Sequence, residues 1–370
     1  MNSHFHCVIM AGGIGSRFWP MSRTSRPKQF IDVLGTGLTL IQQTYARFEN
    51  FVPRENFWVV TGEAYRDLVL AQLPEVPPHQ ILTEPLRRNT APCIAYAAAR
   101  IGKRDPQAVM AVTPADHLVL KPAVFEATML QALNHAARHD RLMTVGLTPT
   151  FPATGYGYIE RGSPVALPDS EWPAAQKEPV CAVKAFKEKP DEATARSFLA
   201  KGGFYWNSGI FVWSVQTIRS ALQTHLPQLS AAFGAGEAIW ETEAESRFIA
   251  QTYAEARSIS VDYGVMEKAH NVGVVCADFG WSDLGTWTSL YQLSERDENE
   301  NALDAGSFVA TRSSGNTIRI TDRNKLLVID GLHQFVVVDT PDVLFICPSG
   351  SEEHVRGVIQ KATSEFTDFA

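Results

Sequence analysis

Glycines and basic side chains near the N-terminus have the types and spacing needed to bind phosphate. Residues 11–15 read Ala-Gly-Gly-Ile-Gly and directly follow the first apolar string of the chain. Because glycine has no Cβ atom, backbone N–H groups there can approach a phosphate closely. Arg17 adds a forked donor and Lys28 a compact positive charge. The pattern favours a phosphate-binding loop, with an ordinary glycine turn as the simpler alternative.

Two general nucleotide-binding templates do not match this loop. The dinucleotide-binding fingerprint needs its third glycine at position 18, which is Phe18, and the sequence contains no Gly-x-x-x-x-Gly-Lys-Ser/Thr. A nicotinamide-dependent dehydrogenase is therefore disfavoured. No Gly-x-Ser-x-Gly elbow indicates covalent catalysis by serine either.

Two aspartates stand where a metal ion could be held. Asp116 follows the apolar string 108–113, and Asp283 follows the apolar string 272–277 in a loop rich in Gly and Trp. Carboxylates from two distant segments can share one Mg²⁺, which keeps several waters and binds phosphate oxygens. For a lone aspartate after a strand, the alternative role is a helix N-cap.

Residues 84–92 suit a loop that recognises a base. Glu84 follows the short apolar string 81–83, and a helical pattern begins at Thr90. A buried carboxylate can accept hydrogen bonds from both the ring and the exocyclic N–H donors of guanine. The alternative is that Asn89 or Thr90 only caps the helix.

The elements that must position these residues are alternating strands and helices. The predicted strands are 7–11, 57–61, 81–83 and 108–113, and the predicted helices are 39–48, 63–73, 90–101 and 123–138. Strands that are apolar throughout indicate a parallel sheet covered on both faces. In such sheets ligands bind at the carboxyl ends of the strands.

The C-terminal part of the chain has a different pattern. A polar, acidic stretch at 294–304 reads as a linker, and β-branched strings follow it at a spacing of about nine residues. The sequence therefore predicts a catalytic domain over residues 1–293, the linker 294–304, and a small all-β domain over residues 305–370. The small domain is expected to be either a meander or a few turns of a β-helix.

Composition excludes several classes of protein. The 370 residues are 45% hydrophobic and 20% charged, which suits a large buried core. Because 33 Lys and Arg oppose 40 Asp and Glu, the net charge is −7, which disfavours duplex nucleic acid and anionic membranes as partners. The five cysteines are widely separated and lack zinc-ligand spacing. That usage favours reduced thiols in a cytoplasmic protein.

Several motifs occur together and in a fixed order. The glycine-rich loop continues into Arg-Phe-Trp-Pro at 17–20 and Pro-Lys-Gln-Phe at 27–30. The further motifs lie at 84–92, 114–117, 154–159, 186–190, 206–211 and 281–287. From residue 7 to about residue 290, this set resembles the sugar-1-phosphate nucleotidylyltransferase family. Within it, the Phe-Trp-Pro form resembles the members that join GTP to mannose 1-phosphate.

The resemblance implies roles for individual residues. Arg17 and Lys28 would be catalytic. The nucleotide-binding residues would be Ala11, Gly12, Gly13, Gly15, Ser16, Arg17, Glu84, Pro85, Arg88, Asn89, Thr90 and Pro92. The sugar-phosphate-binding residues would be Asp116, Gly155, Tyr156, Glu188, Lys189, Asn207 and Asp283, with Asp116 and Asp283 also holding Mg²⁺.

The resemblance also implies a fold and a reaction. The fold would be α/β, with a Rossmann-like mixed, mainly parallel sheet flanked by helices (the nucleotide-diphospho-sugar transferase fold) and a small C-terminal all-β, β-helix-like domain. The expected partners are GTP, mannose 1-phosphate and a second copy of the chain. Alternatives are a family member using another base or sugar, or a non-catalytic regulatory paralogue that binds nucleotide sugar. Such a paralogue would be expected to have lost Arg17, Lys28 or the aspartates, and all are present.

Overall fold

A computed structural model of the protein describes residues 1–15, 18–165 and 179–369. The strands are β1 Phe5–Met10, β2 Phe57–Gly62, β3 Ile81–Glu84, β4 Val109–Pro114, β5 Leu118–Val119, β6 Leu142–Leu147, β7 Tyr158–Pro164, β8 Cys181–Lys187, β9 Phe204–Ser214, β10 Val272–Ala277, β11 Trp281–Ser282, β12 Ala302–Asp304, β13 Ser307–Thr311, β14 Thr317–Ile320, β15 Leu326–Asp330, β16 Phe335–Asp339 and β17 Leu344–Pro348. The α-helices are α1 Leu40–Phe48, α2 Arg66–Gln72, α3 Thr90–Arg104, α4 Pro122–Arg138, α5 Glu192–Lys201, α6 Val215–His225, α7 Pro227–Gly234, α8 Glu245–Glu255, α9 Trp287–Leu293 and α10 Glu352–Glu365. A π-helical turn spans Asp262–Met266.

The described residues divide into two compact units. The sheet unit comprises residues 1–12, 44–115 and 119–281, and the coil unit comprises residues 13–43, 116–118 and 282–370. The coil unit therefore includes most of the glycine-rich loop and the loop that contains Asp283, as well as the C-terminal strands. The predicted domains 1–293 and 305–370, with a linker between them, stay a prediction.

The sheet unit is built on one nine-stranded sheet in the order β3-β2-β1-β4-β9-β6-β10-β8-β7, and a further pairing of β9 with β7 closes five of the strands into a ring. Strand β1 is parallel to β2 and β4, β2 to β3, and β6 to β10. The remaining ladders, formed by β7, β8 and β9, are antiparallel. The predicted α/β fold with a mixed sheet is confirmed, but its mainly parallel character is not. Apolar strings indicate that a strand is buried and do not indicate its direction.

Both faces of this sheet are covered, as the apolar strings predicted. In β1, Val8 packs in one apolar cluster with Ile94 of α3 and Ile218 of α6. Its neighbours Cys7 and Ile9 point to the opposite face, because side chains alternate along a strand, and they are also buried. All five cysteines are buried. No helix in the described ranges is long and apolar enough to cross a membrane.

The C-terminal strands of the coil unit wind as a short β-helical coil. Strands β12, β14 and β16 pair in parallel in one sheet, which β17 joins antiparallel, and β13 and β15 pair in parallel in another. Two buried asparagines stack between turns of the coil: Asn316 Nδ2 donates to Asn301 Oδ1 at 2.8 Å, and Asn316 Oδ1 accepts from Phe335 N at 2.9 Å. The structure thus supports the β-helix over the meander.

The prediction that this region is all-β is wrong, because it ends in helix α10. Ser351 caps this helix by accepting a hydrogen bond from the backbone N–H of His354. Val355, Ile359 and Ala362, at helical spacing, pack on the apolar core of the coil unit. This stretch contains a cap and an i, i+4, i+7 apolar pattern, which are the sequence signals of a helix.

The N-terminal loop packs on the C-terminal strands within the coil unit. Phe18 and Trp19 share one apolar cluster with Leu284, Trp287 and residues of β16 and β17. The ring of Trp19 meets that of Phe345 edge-on at a centroid distance of 5.5 Å, and its Nε1 donates to the backbone oxygen of Phe369 at 2.7 Å. The Phe-Trp-Pro motif therefore anchors the loop that carries the candidate phosphate-binding residues.

Candidate active-site clusters

The glycine-rich loop is closed by side-chain bonds and by close packing on Lys28. Gln29 Nε2 donates to the Gly13 oxygen at 2.7 Å, and Ser22 Oγ donates to the Gly15 oxygen at 2.6 Å. Gly15 has φ +50°, and a Cβ atom there would lie 2.5 Å from Lys28 Cβ and 2.8 Å from its backbone nitrogen. Only glycine fits this position without strain. Ser16 and Arg17 lie outside the described residues.

Lys28 is the central cation of the coil unit. Its side chain is 5% exposed, and its Nζ lies 2.8 Å from Asp116 Oδ2. The same nitrogen donates to the backbone oxygens of Asp283 at 2.7 Å and Leu284 at 3.0 Å. These three acceptors match the three N–H donors of an ammonium group. One buried cation thus joins two loops that are far apart in sequence.

The two aspartates predicted to hold a metal ion are both tied to this cation. Burial alone would raise the pKa of Asp116, but the charges of Lys28 and His117 and the hydrogen bond from Lys28 lower it below its ordinary value. Asp283 Oδ1 accepts from the backbone N–H of Gly285 at 3.0 Å. Among the described residues, no group of three or more His, Cys, Asp or Glu side chains is arranged to hold a metal ion. A metal ion here would therefore depend on the two aspartates and on the oxygens of its substrates.

Glu84 lies beside Gly12 in the sheet unit. A Cβ atom on Gly12 would be 3.2 Å from Glu84 Oε2, and Tyr253 Oη donates to Glu84 Oε1 at 3.0 Å. Burial raises the pKa of Glu84 to about 7, although the hydrogen bond from Tyr253 opposes the shift. Ala11, the residue before Gly12, is held beside β2 because its N–H donates to Val60 O at 2.7 Å. The structure thus brings together Ala11, Gly12 and Glu84.

The rest of the predicted base-recognition loop is bonded to one later segment of the sheet unit. Arg88 donates to the backbone oxygens of Tyr253 at 2.9 Å and Ala254 at 3.0 Å. Thr90 Oγ1 accepts from the Val261 N–H at 2.9 Å. Asn89 is the N-cap of α3, with φ 67° and Oδ1 accepting from the Thr90 N–H. Helix-start chemistry, the simpler alternative, accounts for Asn89.

Pro85 and Pro92 flank this segment. Pro85 is half-buried directly after Glu84, and Pro92 is buried in the first turn of α3. Proline is tolerated in a first turn because its missing N–H has no partner there. The contacts of residues 85–92 shape the loop, and a direct role of these residues in nucleotide binding stays a prediction.

The predicted sugar-phosphate residues of the sheet unit form a second polar cluster. Lys189 Nζ donates to Glu188 Oε1 at 2.6 Å, and this hydrogen bond raises the pKa of Lys189. A Cβ atom on Gly157 would overlap Glu188 Oε2 and lie 3.3 Å from Asn207 Cβ. Glycine at 157 therefore leaves room for the side chains of Glu188 and Asn207, which both lie against it.

Two other residues, Gly155 and Tyr156, were predicted to line the sugar pocket, and that role stays a prediction. Gly155 is exposed, and apart from its chain neighbours none of the described residues has an atom within 4 Å of a Cβ built there. The ring of Tyr156 packs edge-on against Trp206 and Trp281, each at a centroid distance of 5.2 Å. Tyr156 thus belongs to an aromatic cluster.

Two residues that contact these clusters were missed by the sequence analysis. Tyr253 bonds Glu84 through its hydroxyl and Arg88 through its backbone oxygen. Asp262 Oδ1 accepts from Asn207 Nδ2 at 2.8 Å. The only sequence signal for Asp262 is a lone acidic residue between Val261 and Tyr263 ahead of β10. Its hydrogen-bond partner Asn207 lies in another segment of the chain, so the spacing of residues in the sequence does not indicate this contact.

Comparison with known proteins identifies the family of this chain. The Nucleotidyl transferase family model matches residues 6–300. The chain belongs to the nucleotidyl transferase family. It is 36% identical over 358 residues to a mannose-1-phosphate guanylyltransferase of Klebsiella pneumoniae, covering 95% of this chain and 73% of that relative. It is 35% identical to a protein of the same name from Sinorhizobium fredii, covering 97% of this chain and 68% of the relative.

A solved structure agrees with this family assignment. The crystal structure of a mannose-1-phosphate geranyltransferase from Thermus thermophilus matches with a TM-score of 0.83 and 29% identity, over 97% of this chain and 99% of that one. The likeness extends over the C-terminal coil, so the nucleotidyl transferase fold and the coil occur together in both chains. The predicted family resemblance is confirmed.

The packing of Gly15 on Lys28 predicts a stability difference between two glycine substitutions. Gly15→Ala is expected to lower the free energy of unfolding by about 2 kcal/mol, because of its positive φ and the overlap with Lys28. In Gly13→Ala, the matched control, the new Cβ has no atom of a described residue within 4 Å apart from its chain neighbours, and the loss should stay below about 0.5 kcal/mol. Urea-induced unfolding measures both. An equal loss in the two variants would contradict the close approach of Gly15 to Lys28.

Proposed function

We propose that the protein transfers the guanylyl group of GTP to α-D-mannose 1-phosphate, giving GDP-α-D-mannose and diphosphate. The observation that carries this proposal is the set Lys28, Asp116 and Asp283, joined at one buried ammonium group. It occurs in a chain that resembles proteins named mannose-1-phosphate guanylyltransferase over nearly its whole length. We further propose that the enzyme is a cytoplasmic homodimer, and both of these properties stay predictions.

The reaction needs no protein base to generate its nucleophile. A phosphate monoester has a second pKa near ~6, so mannose 1-phosphate is mostly a dianion at neutral pH. One of its oxygens attacks the α-phosphorus of GTP, the bond from that phosphorus to the oxygen bridging to the β-phosphate breaks, and diphosphate leaves. Catalysis then consists of positioning the two phosphates in line and stabilising the charge that develops.

Lys28 and the two aspartates suit the charge-stabilising part of this task. Asp116 stays ionised because its pKa is lowered, and it contributes hard oxygen ligands together with Asp283. Mg²⁺ typically takes one or two protein carboxylates and completes its shell with waters and phosphate oxygens, so this donor set fits it. When bound, the ion would neutralise charge on the phosphates. Lys28 holds the carboxylate of Asp116 and the backbone of residues 283–284 in place.

Glu84 suits recognition of guanine. Its carboxylate lies beside Gly12 and, when ionised, can accept from both N–H donors on the Watson–Crick edge of guanine. Adenine presents an acceptor at the ring nitrogen where guanine has a donor, so the same carboxylate would reject ATP. Tyr253 fixes the carboxylate by donating to Oε1, which has a second lone pair for a ligand donor.

Glu188, Lys189 and Asn207 suit the sugar phosphate. Lys189 is 61% exposed while Glu188 is 12% exposed, so the ammonium group is accessible to an incoming phosphate. Once Lys189 pairs with the phosphate, the Glu188 carboxylate can accept from sugar hydroxyls. An amide such as Asn207 both donates and accepts, which discriminates between hydroxyl stereoisomers better than apolar contact does.

A substrate screen tests the proposed reaction directly. The purified protein is incubated with Mg²⁺, each of GTP, ATP, UTP and dTTP, and either mannose 1-phosphate or glucose 1-phosphate, and diphosphate release is measured. We expect GTP with mannose 1-phosphate to give the highest kcat/KM. A higher value with another pair would mean another base or sugar, and no release with any pair would favour a non-catalytic nucleotide-sugar-binding protein.

The raised pKa of Glu84 predicts how GTP binding depends on pH. In the free enzyme Glu84 has a pKa of about 7, so below that pH the carboxyl is mostly protonated. Guanine needs the ionised form, so binding must release a proton, and KM for GTP should fall about tenfold from pH 6 to pH 8 and then level off. Glu84→Gln should raise KM for GTP and abolish this dependence. Glu243→Gln, at an exposed glutamate, is the matched control. If KM for GTP depends on pH in the same way in both variants, the role of Glu84 is contradicted.

The two aspartates predict a shared dependence of turnover on divalent cation. Asp116→Asn and Asp283→Asn should each lower kcat by about 10²–10³, because each removes a charged oxygen ligand near the reacting phosphates. Their apparent affinity for Mg²⁺ in the assay should fall as well. Asp278→Asn, at an exposed surface ion pair with Lys121, is the control and should retain activity. A wild-type Mg²⁺ dependence in either variant would argue against metal binding by that residue.

A further inference from the structure

Asp262 occupies a position in the sheet unit that the sequence did not reveal. It begins the π-helical turn Asp262–Met266, and such turns often occur at functional sites. Its Oδ1 accepts from Nδ2 of Asn207, at 2.8 Å. The two residues are distant in sequence, so the hydrogen bond connects the π-helical turn to strand β9.

The contacts around Asn207 determine which way its amide faces. Asn207 Oδ1 accepts from the backbone N–H of Gly209 at 3.2 Å and from Thr144 Oγ1 at 3.4 Å. A backbone N–H can only donate and an ionised carboxylate can only accept. The amide oxygen must therefore face Gly209, and the amide nitrogen must face Asp262. Among the described residues Nδ2 makes no second hydrogen bond, which leaves one N–H of Asn207 for a ligand.

The segment that follows β8 brings two charged groups, Glu188 and Lys189, close enough to act on Asp262. Burial raises the pKa of Asp262 to about 6, and the negative charge of Glu188 adds to this shift. The hydrogen bond from Asn207 and the positive charge of Lys189 oppose it. The cluster therefore holds two carboxylates near one ammonium group. When Lys189 pairs with a phosphate, both carboxylates lose part of its compensating charge.

We propose that Asp262 is a positioning residue of the sugar-phosphate subsite, fixing the Asn207 amide so that one N–H is presented to a hydroxyl of the sugar. The inference rests on the proposed function and adds to it a residue that determines specificity through Asn207. It does not require Asp262 to contact substrate. Protonation of Asp262 removes the charge that strengthens its hydrogen bond with Asn207 Nδ2, so the amide is held less firmly and binding of the sugar phosphate weakens.

Asp262→Asn tests this role with a side chain of the same shape. It should raise KM for mannose 1-phosphate about tenfold, because a neutral amide oxygen accepts from Asn207 Nδ2 more weakly than a carboxylate does, while KM for GTP stays unchanged. Wild-type KM for mannose 1-phosphate should rise below pH 6 more steeply than in the variant. The substrate's own titration is common to both proteins and cancels in the comparison. Asp140→Asn, an exposed aspartate after α4, is the matched charge control.

An exchange variant separates positioning from structural support. In Asn207→Asp combined with Asp262→Asn, residue 262 can donate to residue 207, so the hydrogen bond is retained but residue 207 has no N–H. We expect the Tm to return to the wild-type value while KM for mannose 1-phosphate stays raised. If KM recovers with Tm, the role is structural and the proposal is wrong.

Calorimetric titration of mannose 1-phosphate distinguishes this inference from the proposed function. Weaker binding in Asp262→Asn than in the Asp140→Asn control supports the inference even if another nucleotide proves to be the donor. Equal binding and equal KM in an active Asp262→Asn enzyme overturn the inference and leave guanylyl transfer standing. Absence of diphosphate release by the wild-type protein with every substrate pair overturns the proposed function.

Discussion

The buried ammonium group of Lys28 is the constraint on which the candidate active site depends. The Lys28 side chain is only 5% exposed, so its three N–H donors need acceptors within the protein. They find them in the carboxylate of Asp116 and the backbone oxygens of Asp283 and Leu284. The stem of Lys28 in turn needs a neighbour without a side chain, which is Gly15. Removing this cation would leave a carboxylate and two carbonyls without their partner, so the loops are organised around it.

The coil unit supports this arrangement from the other end of the chain. Trp19 follows the glycine-rich turn closely and is anchored to Phe345 and to the backbone of Phe369. Leu284, whose oxygen accepts from Lys28, packs in the same apolar cluster as Trp19. The C-terminal coil is therefore part of the structural support of the loops that carry Lys28 and Asp283. This explains in physical terms why both loops belong to the same compact unit as the coil.

Apolar periodicity and turn chemistry predicted the elements whose residues are close together in the chain. The distant partners Lys28, Asp116 and Asp283 were predicted only through the family resemblance. The strands before Asp116 and Glu84, and the helix that begins at Thr90, follow from apolar periodicity and turn chemistry, and the structure confirms them. The antiparallel pairing of β9 with β4 and β6 could not be predicted. A strand that is buried on both faces has the same apolar sequence whether it runs parallel or antiparallel to its neighbours. Asp262 was missed because its partner, Asn207, lies in another segment.

The pKa values of Asp116 and Glu84 shift in opposite directions because the two carboxyl groups have different neighbours. Asp116 has Lys28 at 2.8 Å, and its pKa is lowered. Glu84 accepts a hydrogen bond from the neutral hydroxyl of Tyr253, and burial raises its pKa. A carboxylate that is already ionised can face a cation without proton transfer, whereas a carboxylate with a raised pKa becomes ionised when a ligand supplies N–H donors. A site that handles phosphates needs a carboxylate that stays ionised, as Asp116 does. A site that selects a base by its hydrogen-bond donors can use a carboxylate that becomes ionised on binding, as Glu84 can. The placement of one lysine therefore separates the two roles.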